Sequence, residues 1–366
     1  MVFFDGSSVA TNIAAQLIKH PQIITFSSMR SSLEAIFDQV YLIDPRLIGC
    51  VAGWEGNSKT TGSLGINKKF ELKITYDDYV PSDFSDVVID NNTWRPLDLL
   101  KKSKQLPAFV RIITKDEAGL MSRIEEDIPK LQASYFGPLS INSQARHKSG
   151  DYTCEIIQFV TNVDQQQYDT WLKMAQRQVT SISQGYLGDK TPPPFMRVFL
   201  AFSYLQQTCN YDDETATIIA ANPNAKVARP YVFYPYGPIC RGEGVCEGIS
   251  GAFKMFMDHN DVECLIVSGQ ADGEGHKWNI VKLDGMYYHV DPTAGISGDG
   301  VYVGGFLKTD KDMAKANYLW DTETCPSCLG RRYNYYSVED YVEENGSELL
   351  NAGVDPTYLM PSNILI

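Results

Sequence analysis

No stretch of this chain approaches 18 uninterrupted apolar residues, and one of the richest windows, Met196 to Leu205, is interrupted by Arg197. A bilayer-spanning helix needs about 20, so no transmembrane segment and no membrane insertion are expected. Cysteine is sparse, at positions 50, 154, 209, 240, 246, 264, 325 and 328, too dilute in 366 residues for a disulfide-stapled scaffold. Positive charge is short as well. The 32 Lys and Arg against 45 Asp and Glu leave a net charge of −13 and a pI near 4.9. A surface that meets nucleic-acid phosphates or anionic lipid is basic, so neither is an expected partner. A protein or peptide partner that is lysine-bearing or cationic would be attracted instead. The start, Met1-Val2-Phe3-Phe4-Asp5-Gly6, has no basic residue ahead of its apolar run and breaks at Asp5, so no signal peptide is read there. What remains is ordinary globular composition, 43% hydrophobic and 21% charged, which argues against a disordered, collagen-like or rod-like chain. At about 150 residues per domain, the length suggests two domains.

The N-terminal half reads as packing material. Ser31 and Glu34 fit a capping box, and Leu33, Ile36, Phe37 and Val40 follow at helical spacing. Phe70, Leu72, Ile74 and Tyr76 alternate with polar residues, as in a half-buried strand. The order recurs: Leu120, Ile124 and Ile128 predict a helix that stops near Pro129, and Tyr152 to Val160 predicts a strand. Two rounds of helix then strand suggest a degenerate repeat. A helix over Trp171–Ile182 and a loop over Gly185–Lys190 lead into Thr191-Pro192-Pro193-Pro194, which cannot continue a helix, and a new apolar helix starts near Phe195 and runs to about Cys209. The expected organisation is therefore an α+β scaffold or recognition region over 1–190, a second domain over 191–345, and a C-terminal tail over 346–366, either docked or frayed.

Residues 236 to 293 carry the chemistry. Gly242, Gly244, Gly248 and Gly251 surround Cys246, and Ile249, Phe253, Phe256 and Met257 then mark an amphipathic helix. Cys246 falls in its first turn, where free N–H groups and the helix dipole favour a thiolate. Downstream, His276-Lys277-Trp278-Asn279-Ile280-Val281-Lys282-Leu283 and Met286-Tyr287-Tyr288-His289-Val290-Asp291 flank Asp284-Gly285, a strong hairpin signal. If Leu283 faces Met286, His276 lies diagonally across from Asp291, at about 7–8 Å between backbones and within side-chain reach. A thiolate nucleophile, a histidine that carries protons and a carboxylate that fixes the histidine tautomer form a working set.

These residues resemble the transglutaminase-like superfamily, most closely its bacterial cell-surface type. The resemblance rests on Gly244-Val245-Cys246-Glu247-Gly248, Ala252-Phe253, His276-Lys277-Trp278-Asn279 and Val290-Asp291-Pro292-Thr293, and extends loosely over about 195–340, including Tyr211-Asp212. It implies an α+β fold with a papain-like transglutaminase core, a nucleophile helix packed on an antiparallel sheet, and no cofactor. It implies Cys246 as nucleophile, His276 as general base and acid, Asp291 as orienter, and a side chain beside the Cys amide as oxyanion donor, for which Tyr234 and Tyr236 are candidates. The implied reaction is acyl transfer at an amide through a thioester, resolved by water (a thiol peptidase or amidase) or by a lysine amine (a protein crosslinker), with hydrolysis slightly favoured. A non-catalytic module that keeps the fold is the reading from a different class. The resemblance suggests a cell-surface location, and the absence of a visible signal peptide a cytoplasmic one. Lys277, Ile249 and Ala294 depart from the pattern at positions bordering the cleft.

Other features receive plainer readings. Trp278 packs beside the imidazole or serves the core alone. His289 shares the predicted face of Asp291 and is either a rival base or a strand residue. Cys325-x-x-Cys328 lacks a second pair and a nearby histidine, which argues against zinc and leaves a local disulfide or two free thiols. A regulatory disulfide through Cys240 stays open. Asp212, Asp213 and Glu214 read as a solvated turn rather than a calcium loop, and Gly242-Glu243-Gly244 lacks the context of a nucleotide fold.

Overall fold

The computed structural model describes residues 6–29, 32–61, 67–99, 107–134, 136–187, 192–223, 225–296, 298 and 300–365. Ser31, residues 1–5 and residues 188–191 lie outside them, and the expected loop over Gly185–Lys190 is helical as far as Leu187. The chain forms two compact units, one within Met1–Leu131 and Ser140–Val160, the other within Gln132–Leu139 and Thr161–Ile366. Each is built of helices and largely antiparallel sheet, so the fold class is α+β. The units divide at residue 160 rather than near 190, because the long helix over Gln165–Leu187 buries Ala175 and Val179 in the core of the second unit.

The first unit repeats one arrangement. It contains helices α1 (Gly6–Leu17), α2 (Leu33–Ile43) and α3 (Glu117–Ser134). Its strands are β1 (Ile23–Ser28), β2 (Val51–Thr61), β3 (Asn67–Tyr76), β4 (Val88–Ile89), β5 (Phe109–Thr114), β6 (Leu139–Ser149) and β7 (Tyr152–Thr161). The run β1–α2–β2–β3 makes a sheet in the order β1-β3-β2, and β5–α3–β6–β7 makes β5-β7-β6 with β4 added parallel to β5. The helix-then-strand order in the sequence is thus part of a strand–helix–hairpin unit that occurs twice. Alternation on β3 puts Phe70, Leu72 and Ile74 into a core shared with Ile36, Phe37, Val40, Ile113 and Ile156. The cap of α2 is Ser32, whose hydroxyl accepts the Ala35 N–H at 3.3 Å. Helix α3 does not stop at Pro129: it continues to Ser134, and the full burial of Leu131 offsets the backbone hydrogen bond that proline forgoes.

The second unit is built around α5 (Pro194–Thr208), which follows α4 (Gln165–Leu187). Helix α5 opens with proline at its first position, where the missing N–H has no intrahelical partner to lose. It buries Met196, Val198, Phe199, Leu200, Ala201, Phe202 and Leu205, an apolar surface nearly all round, as befits a central helix. Helix α6 (Asp213–Ala221) and helix α7 (Cys246–His259), which begins at Cys246, follow. Helix α7 packs on a four-stranded sheet ordered β12-β11-β10-β14, with β10 Cys264–Ala271, β11 Glu274–Leu283, β12 Met286–Val290 and β14 Tyr318–Trp320. The C-terminal residues are docked. Helix α9 (Tyr335–Asn351), preceded by the short α8 (Asp310–Lys315), and α10 (Pro356–Leu359) carry Leu349 and Leu359 into the core. Strand β15 (Ile364–Leu365) pairs in parallel with β13 (Val301–Tyr302). Among the described residues no helix is long and apolar enough to cross a membrane.

Candidate active site

Cys246 is the first residue of α7, half-buried and free. A left-handed turn and one close approach set its position. Gly242 turns the chain at φ +69, and a Cβ on Gly248 would sit 2.1 Å from the Val232 carbonyl oxygen, so only glycine lets the segment Pro230–Phe233 pack on the first turn. The Val245 N–H then donates to that carbonyl at 3.1 Å.

The hairpin has the expected register, Leu283 opposite Met286 and Asn279 opposite Val290. Its turn residues Asp284 and Gly285 both take positive φ, as a two-residue hairpin turn requires. Asp291 follows the end of β12 and caps the turn over Pro292–Gly295, accepting the Thr293 N–H on Oδ1 at 2.9 Å. Its Oδ2 accepts His276 Nε2–H at 2.8 Å and the Tyr318 hydroxyl at 2.7 Å. Asp291 is fully buried, and its backbone N–H donates to the Gly305 carbonyl at 2.8 Å. Burial by itself drives the His276 imidazolium down, but hydrogen bonds to Asp291 and to the Cys246 sulfur, together with the negative charge of both, outweigh it and raise its pKa to about 10. The structure therefore brings Cys246, His276 and Asp291 into one chain of contacts.

Two ties hold α7, which begins at Cys246, to β11, which carries His276. Asn279, fully buried, donates to the Ser250 carbonyl at 3.0 Å. Lys277, beside His276, pairs with Glu247, beside Cys246. Trp278 is fully buried, stacks on His276 with ring centroids 6.0 Å apart, and meets Tyr318 edge-on at 5.2 Å.

Both tyrosines considered as oxyanion donors make contacts around Trp171. Tyr234 gives its hydroxyl to Asn162 and its ring to Tyr168 and Trp171, and Tyr236 stacks on Trp171 at 5.4 Å. A tyrosine that does meet Cys246 is Tyr211. Strand β8 (Asn210–Tyr211) pairs in parallel with β9 (Glu243–Gly244), setting Tyr211 opposite Gly244, two residues before Cys246. Its hydroxyl meets both the Cys246 sulfur and the Cys246 backbone N–H, and burial together with the neighbouring sulfur pushes its pKa well above the ordinary tyrosine range, so it keeps its proton. The only hint in the sequence was the Tyr211-Asp212 pair after the apolar helix. Asp212 itself is no solvated turn residue: it is buried, caps α6 through the Thr215 N–H at 3.0 Å, and pairs with Arg229 at 2.8 Å.

His289 is not a rival base. It is fully buried, its Nδ1 accepts the Trp278 indole N–H at 3.0 Å, and its Nε2 lies 2.9 Å from Asp310 Oδ1. Burial pushes its pKa down, against the pull of Asp310. The fold also brings His289 and Asp310 beside Cys328, with ligand atoms all within 4.8 Å, so a histidine does lie near Cys325-x-x-Cys328. The donor set suits a transition ion, but the indole argues for a proton. A neutral imidazole that accepts on Nδ1 carries its hydrogen on Nε2, whereas a metal-bound histidine normally donates through its other nitrogen. Cys325, Cys328 and Cys240 are all free thiols.

No known family profile matches this chain, and no curated protein does either. Among solved structures it is similar in part to a transglutaminase, at 15% identity and a TM-score of 0.30 over 58% of this chain and 60% of that one. It is similar also to a candidate cysteine protease from Cytophaga hutchinsonii, at 10% identity and a TM-score of 0.26 over 47% of this chain and 65% of that one. The chain thus spans less than two thirds of the length of either.

Proposed function

We propose that this protein is a thiol-dependent acyl-transfer enzyme acting on amide bonds of protein or peptide substrates, with water as the favoured acceptor. The observation that carries the reading is the continuous contact from an accessible Cys246 through His276 to the buried Asp291. The Cys246 sulfur attacks the amide carbon, and the carbonyl electrons move to oxygen, where the Cys246 N–H and the Tyr211 hydroxyl are the donors at hand. The oxyanion collapses, the C–N bond breaks, and the His276 imidazolium gives its proton to the leaving amine. Water then attacks the thioester while His276 takes its proton, and the C–S bond breaks to release the acid and the thiolate. A lysine amine in place of water gives a crosslink by the same steps. The accessible thiol speaks against a module that merely keeps the fold.

Iodoacetamide labelling at neutral pH tests the nucleophile. Burial raises the pKa of Cys50, Cys209 and Cys264 to about 12 and also raises those of Cys240, Cys325 and Cys328, so Cys246 is expected to label first. Equal labelling of Cys246 and Cys240, with Cys246→Ala matching wild type on every amide tried, sinks the enzyme reading. A fluorescent primary amine supplied with a glutamine-bearing protein separates the outcomes: ammonia release without incorporation marks hydrolysis, and incorporation marks crosslinking.

A further inference from the structure

The assignment of Cys246, His276 and Asp291 leaves a second histidine–carboxylate pair unused. His289 and Asp310 stand behind the indole that His276 stacks on, and the contacts run in one direction. Two backbone-fixed features set Asp310: it opens α8, and both its oxygens accept the Cys328 N–H at 3.1 Å. Asp310 Oδ1 accepts the His289 Nε2–H, which fixes the tautomer with Nδ1 free of hydrogen. Nδ1 accepts the Trp278 indole N–H. Trp320 closes the other side of His289, edge-on at 4.7 Å. Trp278 in turn presents its face to His276, with planes 17° apart, and its edge contact to Tyr318, the tyrosine that donates to Asp291. The indole therefore touches the imidazole and the tyrosine that shares its carboxylate, and its one polar atom is held by His289.

We propose that His289, oriented by Asp310, is a positioning residue for the reaction: by holding the Trp278 indole it sets the plane in which His276 faces Cys246. It reaches the reacting atoms only through Trp278, so it is not a catalytic residue. An indole without that acceptor keeps its apolar packing but is free to tilt, and the imidazole stacked on it tilts too. The cost then falls on the geometry between nucleophile and base rather than on substrate binding.

This inference rests on the reading of Cys246 and His276 given above, and the two fail in different ways. The chemistry of amides separates the roles of the two ring nitrogens. The oxygen of His289→Asn stands where Nδ1 does and can still accept the indole N–H. The amide of His289→Gln reaches the Nε2 position, keeps Asp310 and leaves the indole without an acceptor. The Cys246 alkylation rate with iodoacetamide, followed against pH, needs no known substrate. We expect His289→Gln to slow it about tenfold, the effect of losing one hydrogen bond that holds the arrangement, and His289→Asn to stay within about twofold. Once an amide substrate is in hand, His289→Gln should lower kcat and leave KM unchanged. Equal rates in the two variants, whether both slowed or both normal, overturn the proposal, because a structural role would not tell the nitrogens apart. If neither variant folds, Asp310→Ala serves, since its side chain is about a third exposed. It should slow alkylation severalfold with unchanged KM, and a wild-type rate overturns the proposal. A wild-type Cys246 no more reactive than Cys240 would instead defeat the enzyme reading and leave the arrangement around Trp278 as it is.

Discussion

The two units bury charge in opposite ways. In the first, charged groups close on structure. Arg111, 1% exposed, donates to the carbonyls of Tyr79 and Ile48. Asp90, also buried, accepts from Thr114 and Arg123 through one oxygen and from the backbone of Thr93 and Trp94 through the other. In the second unit the network around Asp291 has an open end. Tyr318, Thr293 and His276 saturate the carboxylate, and the imidazole then passes the interaction on to a thiol that solvent can reach. Both units bear the cost of burying ions, but among the described residues the network around Asp291 ends on a half-buried thiol, Cys246.

Asp291→Asn breaks that contrast most strongly. It keeps the shape but removes the charge that fixes and stabilises the imidazolium, and kcat should fall about a thousandfold or more. The pH profile carries a second readout. His276 is held at about 10, above its unfolded value of about 6.5, so the stability it contributes is complete below about 6.5 and fades as pH rises through 10. The alkaline limb of kcat/KM, where the imidazolium loses the proton it gives to the leaving group, should move to lower pH in the variant. A limb that does not move would show that Asp291 does not set the His276 charge.

Asp90→Ala is the counterpart in the first unit. It strands Arg123, whose side chain is only 15% exposed, at a cost of about 3–5 kcal/mol by thermal or denaturant unfolding. Cys246 alkylation should keep its wild-type rate below the transition. A slowed thiol in the folded variant would mean that the first unit's charges also serve the reactive end.

Tyr211→Phe sharpens the contrast within the second unit. It removes one O–H at the Cys246 amide and leaves the ring, so kcat should fall about a hundredfold with KM near wild type. A change in KM alone would place Tyr211 in substrate binding and not at the oxyanion.

The legible parts of the site were the local ones. The Asp284-Gly285 turn set the register of the hairpin that carries His276 and Asp291, and helical spacing after Cys246 marked α7. Tyr211 was not legible as a site residue because a two-residue parallel pairing with a distant segment puts it there, with no periodicity to announce it. Alternation alone gives the face of His289, whereas Trp278 and Asp310 decide what its nitrogens do. In the first unit, alternation on β3 was plain, but the twofold strand–helix–hairpin order emerges only when β1 and β5 find their non-sequential partners. The histidine near Cys325-x-x-Cys328 is hidden in the sequence for the same reason: His289 and Cys328 are far apart in sequence and adjacent in the fold.

Lys277→Ala should have the smallest effect. The Lys277–Glu247 pair joins the residue beside His276 to the residue beside Cys246, the place for a strut between them. Its side chains are 24% and 17% exposed, and a partly solvated pair contributes at most about 1 kcal/mol. The buried Asn279–Ser250 hydrogen bond ties the same helix and strand without charge and survives the substitution. Activity should therefore drop by no more than about fivefold. Raising salt should shrink the gap from wild type, since at 1 M the screening length is about 3 Å. A hundredfold loss insensitive to salt would mean that the ion pair, not the buried amide, sets the distance between Cys246 and His276.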